Sequence, residues 1–238
     1  MTSPQLRYRT YDWRGGEEWL AEMGAGPTIL IAPPLFEEMN RCRAFIVAIM
    51  RHLADAGFHT VLPDLPGTGE STRELVELTW SDWSAALSSF AHDPKTISQP
   101  VLVASFRGGC LLDDALDTPM RWRFAPVDGT ALTRDLVRAR QAASPDKPRV
   151  EAVLMQARES PCEFAGYILP PGLFAGLHEA RLADVTGTRT ARLSSDPAPA
   201  DLKVEGRPLW RQSEPGTDVS LSRRLADDIA RWARACAA

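Results

Sequence analysis

The chain has 238 residues, 44% of them hydrophobic and 24% charged, with a formal net charge of −4. That composition suits one globular fold with a sizeable core, while the acidic balance and the lack of a dense basic run exclude a nucleic-acid footprint and a basic membrane-surface patch. No apolar run approaches the roughly 20 residues that a membrane helix needs, and the N-terminal MTSPQLRYRTYDW lacks the apolar stretch of a signal peptide, so a cytoplasmic protein is expected. The cysteines Cys42, Cys110, Cys162 and Cys236 lie far apart without a CxxC spacing. They read as reduced thiols, and neither a zinc site nor any other metal or cofactor is expected.

Residues 5–13 and 17–23 flank Gly15-Gly16 and predict an antiparallel hairpin. PTILIAPP (27–34) is continuously apolar, the pattern of a strand buried on both faces. Residues 42–56 place Phe45, Ile49 and Leu53 at i, i+4 and i+8, which predicts a helix closed by Gly57. A strand at 59–65, a helix at about 80–91, a strand at 100–106, a short helix at 108–116 and a strand at 121–127 follow. Strand alternating with helix implies right-handed crossovers and a mostly parallel sheet. Residues 130–183 interrupt the rhythm with helical pieces and no clear strand, and read as a helical cap inserted into a core made of 1–129 and 184–238. Strands at 189–195 and 202–210 and a terminal helix carrying Leu225, Ile229 and Trp232 on one face complete the pattern.

Open α/β sheets hold their ligands at strand ends. Three turns there carry unusual residues: PPLFEEMN (33–40), DLPGTGES (64–71) and SFRGGC (105–110). With the cap, they resemble the α/β-hydrolase fold, in which PPLFEEMN would be the oxyanion-hole loop and SFRGG the nucleophile elbow. At such an elbow the residues two before and two after the tip must be small. With Ser105 at the tip, the flanks are Val103 and Arg107; with Arg107 at the tip, they are Ser105 and Gly109. The second frame fits better, and it puts at the tip a permanently protonated side chain with no lone pair to attack with. Ser105 in the other frame, and Cys110 one turn into the predicted helix with its pKa lowered by the helix dipole, remain as alternative nucleophiles. A buried structural thiol is the plainer reading of Cys110. A triad's base should follow the last strand, yet the histidines are His52, His59, His92 and His178. Asp196 stands where the triad's acid would, with no histidine to orient.

The segments PPLFEEMNRCR (33–43), LPDLPGTGES (62–71), the arginine-tipped elbow (105–109), APVDGTALTRDLVRARQAA (125–143), EFAGYILPPGL (163–173) and VEGRPLW (204–210) resemble the exosortase A system-associated hydrolases, the second of their two types. In that family arginine commonly occupies the elbow tip; here Ser105 replaces an expected glycine at the elbow's start. The resemblance implies a bacterial cytosolic protein linked to exopolysaccharide and protein-sorting loci, and names no substrate.

Arg107 is a planar fork suited to a carboxylate or phosphate. Two roles stand open: it holds an anionic or carrier-linked small molecule, or it is braced internally by Glu38 or Asp128, with Glu37 as a further neighbour. Asn40 and Arg41 could add donors, though Asn40 equally suits the N-cap of the helix that follows. Trp80 and Trp83 read as core. Trp210 stands where a catalytic histidine would, and either fills that space or stacks on a sugar-like ligand. Two functions follow: a binding protein that has lost the triad, or an esterase or acyl-transfer enzyme using Cys110 or Ser105.

Overall fold

The computed structural model describes residues 4–92 and 102–236, and it begins with the predicted hairpin: β1 (Arg7–Trp13) pairs antiparallel with β2 (Gly16–Gly24). β3 (Thr28–Ala32) is buried along its whole length, as its unbroken apolar run requires. The helix that follows, α1 (Glu37–Asp55), starts five residues earlier than its apolar spacing indicates, so Asn40 lies inside it and Phe36 is the N-cap. Glu37 and Glu38 in the first turn favour that early start, since carboxylates stabilise the positive end of a helix. β4 (His59–Pro63), α2 (Trp80–His92), β5 (Leu102–Phe106) and β6 (Arg121–Phe124) continue the alternation. Residues 100–101 of the predicted fifth strand lie outside the described residues.

The short helix expected at 108–116 is absent. Two 3-10 turns, Arg107–Leu111 and Asp113–Ala115, take its place. Gly108-Gly109 weakens helical propensity, and Arg121 fixes the second turn by donating to the carbonyls of Asp113 (3.2 Å) and Leu116 (2.8 Å).

Between β6 and β9 run α3 (Gly129–Ala143), α4 (Val150–Glu159), the hairpin β7 (Cys162–Phe164)–β8 (Tyr167–Leu169) and α5 (Pro171–Glu179). None of them pairs with the main sheet. The hairpin corrects the expectation of a purely helical segment. Its strands span three residues each, too short for period-2 alternation to register. Ala165 (φ 50°) and Gly166 (φ 89°) form its two-residue turn, the left-handed pair that hairpins favour. β9 (Arg189–Leu193), β10 (Leu202–Val204), a 3-10 turn at Leu209–Arg211 and α6 (Val219–Cys236) complete the chain.

The sheet has eight strands in the order β1-β2-β4-β3-β5-β6-β9-β10. β1, β2 and β4 meet antiparallel, and all later neighbours are parallel. β3 alternates its side chains between two cores. Ile29 and Ile31 pack with Phe45, Ile49 and Leu53 of α1 and with Leu225, Ile229 and Trp232 of α6. Leu30 and Ala32 pack with Trp83, Leu87 and Phe90 of α2 and, through them, with Leu132 of α3 and Phe174 of α5. The inserted segment therefore shares one core with the sheet. The chain leaves β3 to form β4 on one side and later returns to form β5 on the other, so the order reverses between β3 and β5. That reversal opens a crevice at the carboxyl ends of the strands, where such sheets receive ligands.

Candidate functional site

Three non-glycine residues with left-handed backbone stand at this edge: Phe36 (φ 56°) after β3, Arg107 (φ 52°) after β5 and Ala125 (φ 46°) after β6. Each such conformation costs about 1–3 kcal/mol and persists only where its surroundings over-determine it. Here the surroundings are visible. The Phe36 ring packs on Trp83 at 5.2 Å and Tyr167 at 5.5 Å, and the Ala125 amide donates to the Ala191 carbonyl at 2.9 Å. Beside Arg107, a Cβ added to Gly109 would lie 2.3 Å from the Pro33 carbonyl oxygen and 2.5 Å from that of Ala32. The end of β3 thus presses against the elbow, so Gly109 must be small because of β3 and the residue after it, a different contact from the one between flanks that the small-flank argument invokes.

The Arg107 guanidinium is surrounded. Nη2 donates to Glu38 Oε1 (2.8 Å), Nε to Glu38 Oε2 (3.2 Å) and Nη1 to the Ala125 carbonyl (3.1 Å). Its carbon lies 4.5 Å from the centre of the Trp210 ring, within the range of a cation–π contact. Burial pushes the Glu38 carboxyl above its ordinary range, against the pull of Arg107. Trp210 is wedged edge-on against Phe124 at 5.9 Å, and its carbonyl accepts Arg41 Nη1 at 3.1 Å.

The other expected site residues are placed as follows. Asn40 donates to Glu37 (2.9 Å) and to the Tyr167 hydroxyl (2.9 Å), tying α1 to the β7–β8 hairpin. Glu37 also pairs with Arg41 at 3.3 Å. Asp128 is exposed at the start of α3 and takes no part in the Arg107 contacts, which corrects its expected role as a partner. Ser105 is fully buried and donates to Asp113 Oδ2 at 2.9 Å; Asp113 in turn receives Arg123 at 2.6 and 2.8 Å. Cys110 is also fully buried. Burial, reinforced by the Asp113 carboxylate, drives its thiol pKa upward, the reverse of the lowering expected from a helix that does not form. Asp196 is held in its own turn by Arg192 at 2.8 Å and the Ala198 amide at 2.9 Å. Burial opposes its ionisation, but these donors outweigh it and hold the carboxyl below the usual range.

Two histidines are engaged with other groups. His59 bonds Thr28 (3.1 Å) and Glu22 (3.3 Å) at the amino end of β4. His178 bonds Thr133 (2.9 Å) and stacks on Phe174. His52 lies in the last turn of α1, and His92 ends α2.

A cleft of about 390 Å³ opens between the start of α1, α3, the hairpin turn at Ala165 and Trp210-Arg211. Leu35, Leu132, Leu136 and Ala139 give it apolar walls, and Glu37, Glu38, Arg41, Asp135, Arg138 and Arg211 give it charge. It contains no Ser, Cys or His among its lining residues. The α3 residues and Arg211 were not anticipated from spacing. For the α3 residues the segment 125–143 was the only local signal and for Arg211 there was none, because their meeting with α1 is purely tertiary.

No protein-family model and no curated protein matches the chain. Among solved structures, alpha/beta hydrolase domain-containing protein 10 from mouse matches at a TM-score of 0.62 and 18% identity, over 94% of this chain and 98% of that one. The thioesterase domain from the curacin biosynthetic pathway matches at 0.53 and 14% identity, over 94% and 99%. The strand order, the crevice between β3 and β5 and these two near-full-length matches together establish that the chain has the α/β-hydrolase fold.

Proposed function

We propose that this protein is a binding protein built on the hydrolase fold: it has lost the Ser-His-Asp triad, and its cleft takes a small anionic, free or carrier-linked molecule. One observation carries the reading. Arg107 occupies the elbow tip, and its guanidinium is saturated by Glu38, Ala125 and Trp210. A side chain so engaged is a brace that shapes the cleft floor, with the ligand bound above it. Of the two roles open for Arg107 in sequence, the internal one thus has the stronger support. The alternative, acyl transfer by Cys110 or Ser105, draws little support from two fully buried side chains.

In this reading, residues 130–183 act as a cap on a core of 1–129 and 184–238, Glu37, Glu38 and Trp210 shape the cleft wall, and Asn40, outside the lining, ties α1 to the hairpin beside it. Asp128 stays at its margin. The resemblance to the exosortase A system-associated hydrolases supports a bacterial, cytoplasmic setting beside exopolysaccharide and protein-sorting systems.

A panel of short-chain p-nitrophenyl esters and acyl thioesters tests the loss of chemistry. Turnover should stay at background; even an oxyanion hole with binding alone gives only about 10³–10⁴ over water. Turnover that disappears in Ser105→Ala or Cys110→Ala would overturn the reading.

A further inference from the structure

A second cleft, of about 300 Å³, lies at the Leu209–Arg211 turn, lined by Ala125, Leu193, Ser195, Asp196, Pro197 and Pro208. Trp210 and Arg211 line both clefts. The backbone of this partition is fixed: the Trp210 carbonyl accepts Arg41, and the Arg211 amide donates to the Pro208 carbonyl at 3.0 Å.

The charges around it resolve into pairs. The carboxylates lining the two clefts are Glu37, Glu38, Asp135 and Asp196. Each is taken by another arginine: Arg41 at 3.3 Å, Arg107 at 2.8 Å, Arg138 at 3.4 Å and Arg192 at 2.8 Å. Arg211 makes no salt bridge among the described residues and touches Glu38 only through its field. It is the cation left over, and it stands between two cavities, each lined by both apolar and polar side chains.

We infer that Arg211 is the anion-recognising residue, and that it holds a phosphodiester with one arm in each cleft. A carboxylate carries one arm and ends a molecule. A phosphodiester is a monoanion with two arms, which matches one unpaired cation flanked by two clefts. Arginine's planar fork suits its two free oxygens. This inference rests on the binding reading above and adds to it the class of ligand and the residue that selects it.

Titration calorimetry on the full chain tests it with four probes: octyl phosphoglycerol, which has both arms; octyl phosphate; glycerol phosphate; and octanol. The two-armed diester should bind tightest. Arg211→Ala should weaken it by about tenfold or more, as loss of a charge-assisted hydrogen bond does, and leave octanol binding unchanged. Arg211→Lys, which keeps the charge and loses the fork, should fall between. Because Arg211 is exposed, neither variant should disturb folding, which a melting curve checks. Equal diester affinity in wild type and Arg211→Ala, or octyl phosphate binding as tightly as the diester, overturns the inference, while the anion binding itself keeps the reading of an anion-binding cleft intact. Binding of none of the four overturns both. Co-sedimentation with phosphatidylglycerol vesicles, in preference to binding the monomeric diester, would overturn the commitment to a soluble ligand.

Discussion

Replacing Glu38 by glutamine removes one charge from the centre of the elbow and keeps the shape of the side chain. Arg107 then retains the Ala125 carbonyl, the Trp210 face and one neutral acceptor. Its side chain is only 9% exposed, and that of Glu38 13%, so water cannot take over the lost pairing. Breaking a buried pair by removing one partner costs about 3–5 kcal/mol. The retained acceptor places Glu38→Gln near the lower end, about 3 kcal/mol. At about 2–4 °C per kcal/mol for a chain of this size, the melting temperature should fall by roughly 6–12 °C. The double variant Glu38→Leu/Arg107→Met should recover most of that loss, because replacing both ions by apolar groups is often neutral or stabilising. Methionine at φ 52° carries the same backbone strain as arginine, so strain cancels from the comparison. Chemical denaturation of wild type, both single variants and the double variant completes the cycle. Additive losses, with no coupling between positions 38 and 107, would refute the brace.

Two further outcomes follow from the same geometry. Gly109→Ala drives a methyl group into the backbone carbonyls of Ala32 and Pro33; neither can retreat without breaking β3, so a loss of about 4 kcal/mol or more is expected in urea melts, and a near-neutral result would place the elbow elsewhere. Burial opposes ionisation of Asp228, but hydrogen bonds from Arg189 (2.8 and 2.9 Å) and Trp122 (2.9 Å) outweigh it and hold its pKa below the usual aspartate range. The stability it contributes is therefore complete above the unfolded aspartate value of about 3.9 and is lost as pH falls through the lower folded value; Asp228→Asn should lower stability at pH 7 and flatten the acid limb, whereas an unchanged acid limb would refute the assignment.

The sheet was legible because β3, β4 and β5 are buried on both faces, and a short unbroken apolar run bounded by turn residues suits a buried strand better than a surface helix. The turn after β5 was legible from its glycines, although the crowding that requires Gly109 comes from Ala32 and Pro33 rather than from its neighbours in sequence. What lay beyond such local rules was not. GGCLLDDAL has the leucines of a helix, yet Asp113 is drawn inward to Arg123 and Ser105, and the segment becomes two 3-10 turns. The pairing of Arg107 with Glu38 stood as one option beside Asp128. The choice depends on where α1 begins, which apolar spacing misplaced by more than a turn. The partition made by Trp210 and Arg211 has no sequence signal beyond the position of Trp210 after the last strand.

The residue at the elbow tip and the residue after the last strand touch here, as a nucleophile and its base would. Arginine and tryptophan stand in those places, and their contact is a guanidinium over an indole at 4.5 Å. Neither side chain is well accommodated alone. An arginine at the tip buries a cation that needs a carboxylate and a cover; Glu38 supplies the first and Trp210 the second. A tryptophan after the last strand needs a flat partner beneath it, and a small serine would leave a void under the ring. Asp196 is likewise engaged locally, holding its own turn through Arg192 and Ala198. The contacts of Arg107, Glu38 and Trp210 thus form one self-consistent packing unit, which supports the proposed loss of the triad. Restoring serine at the tip alone, Arg107→Ser, would leave Glu38 unpaired and Trp210 unsupported without bringing back a base, which is why a single reversion should lower stability and return no esterase.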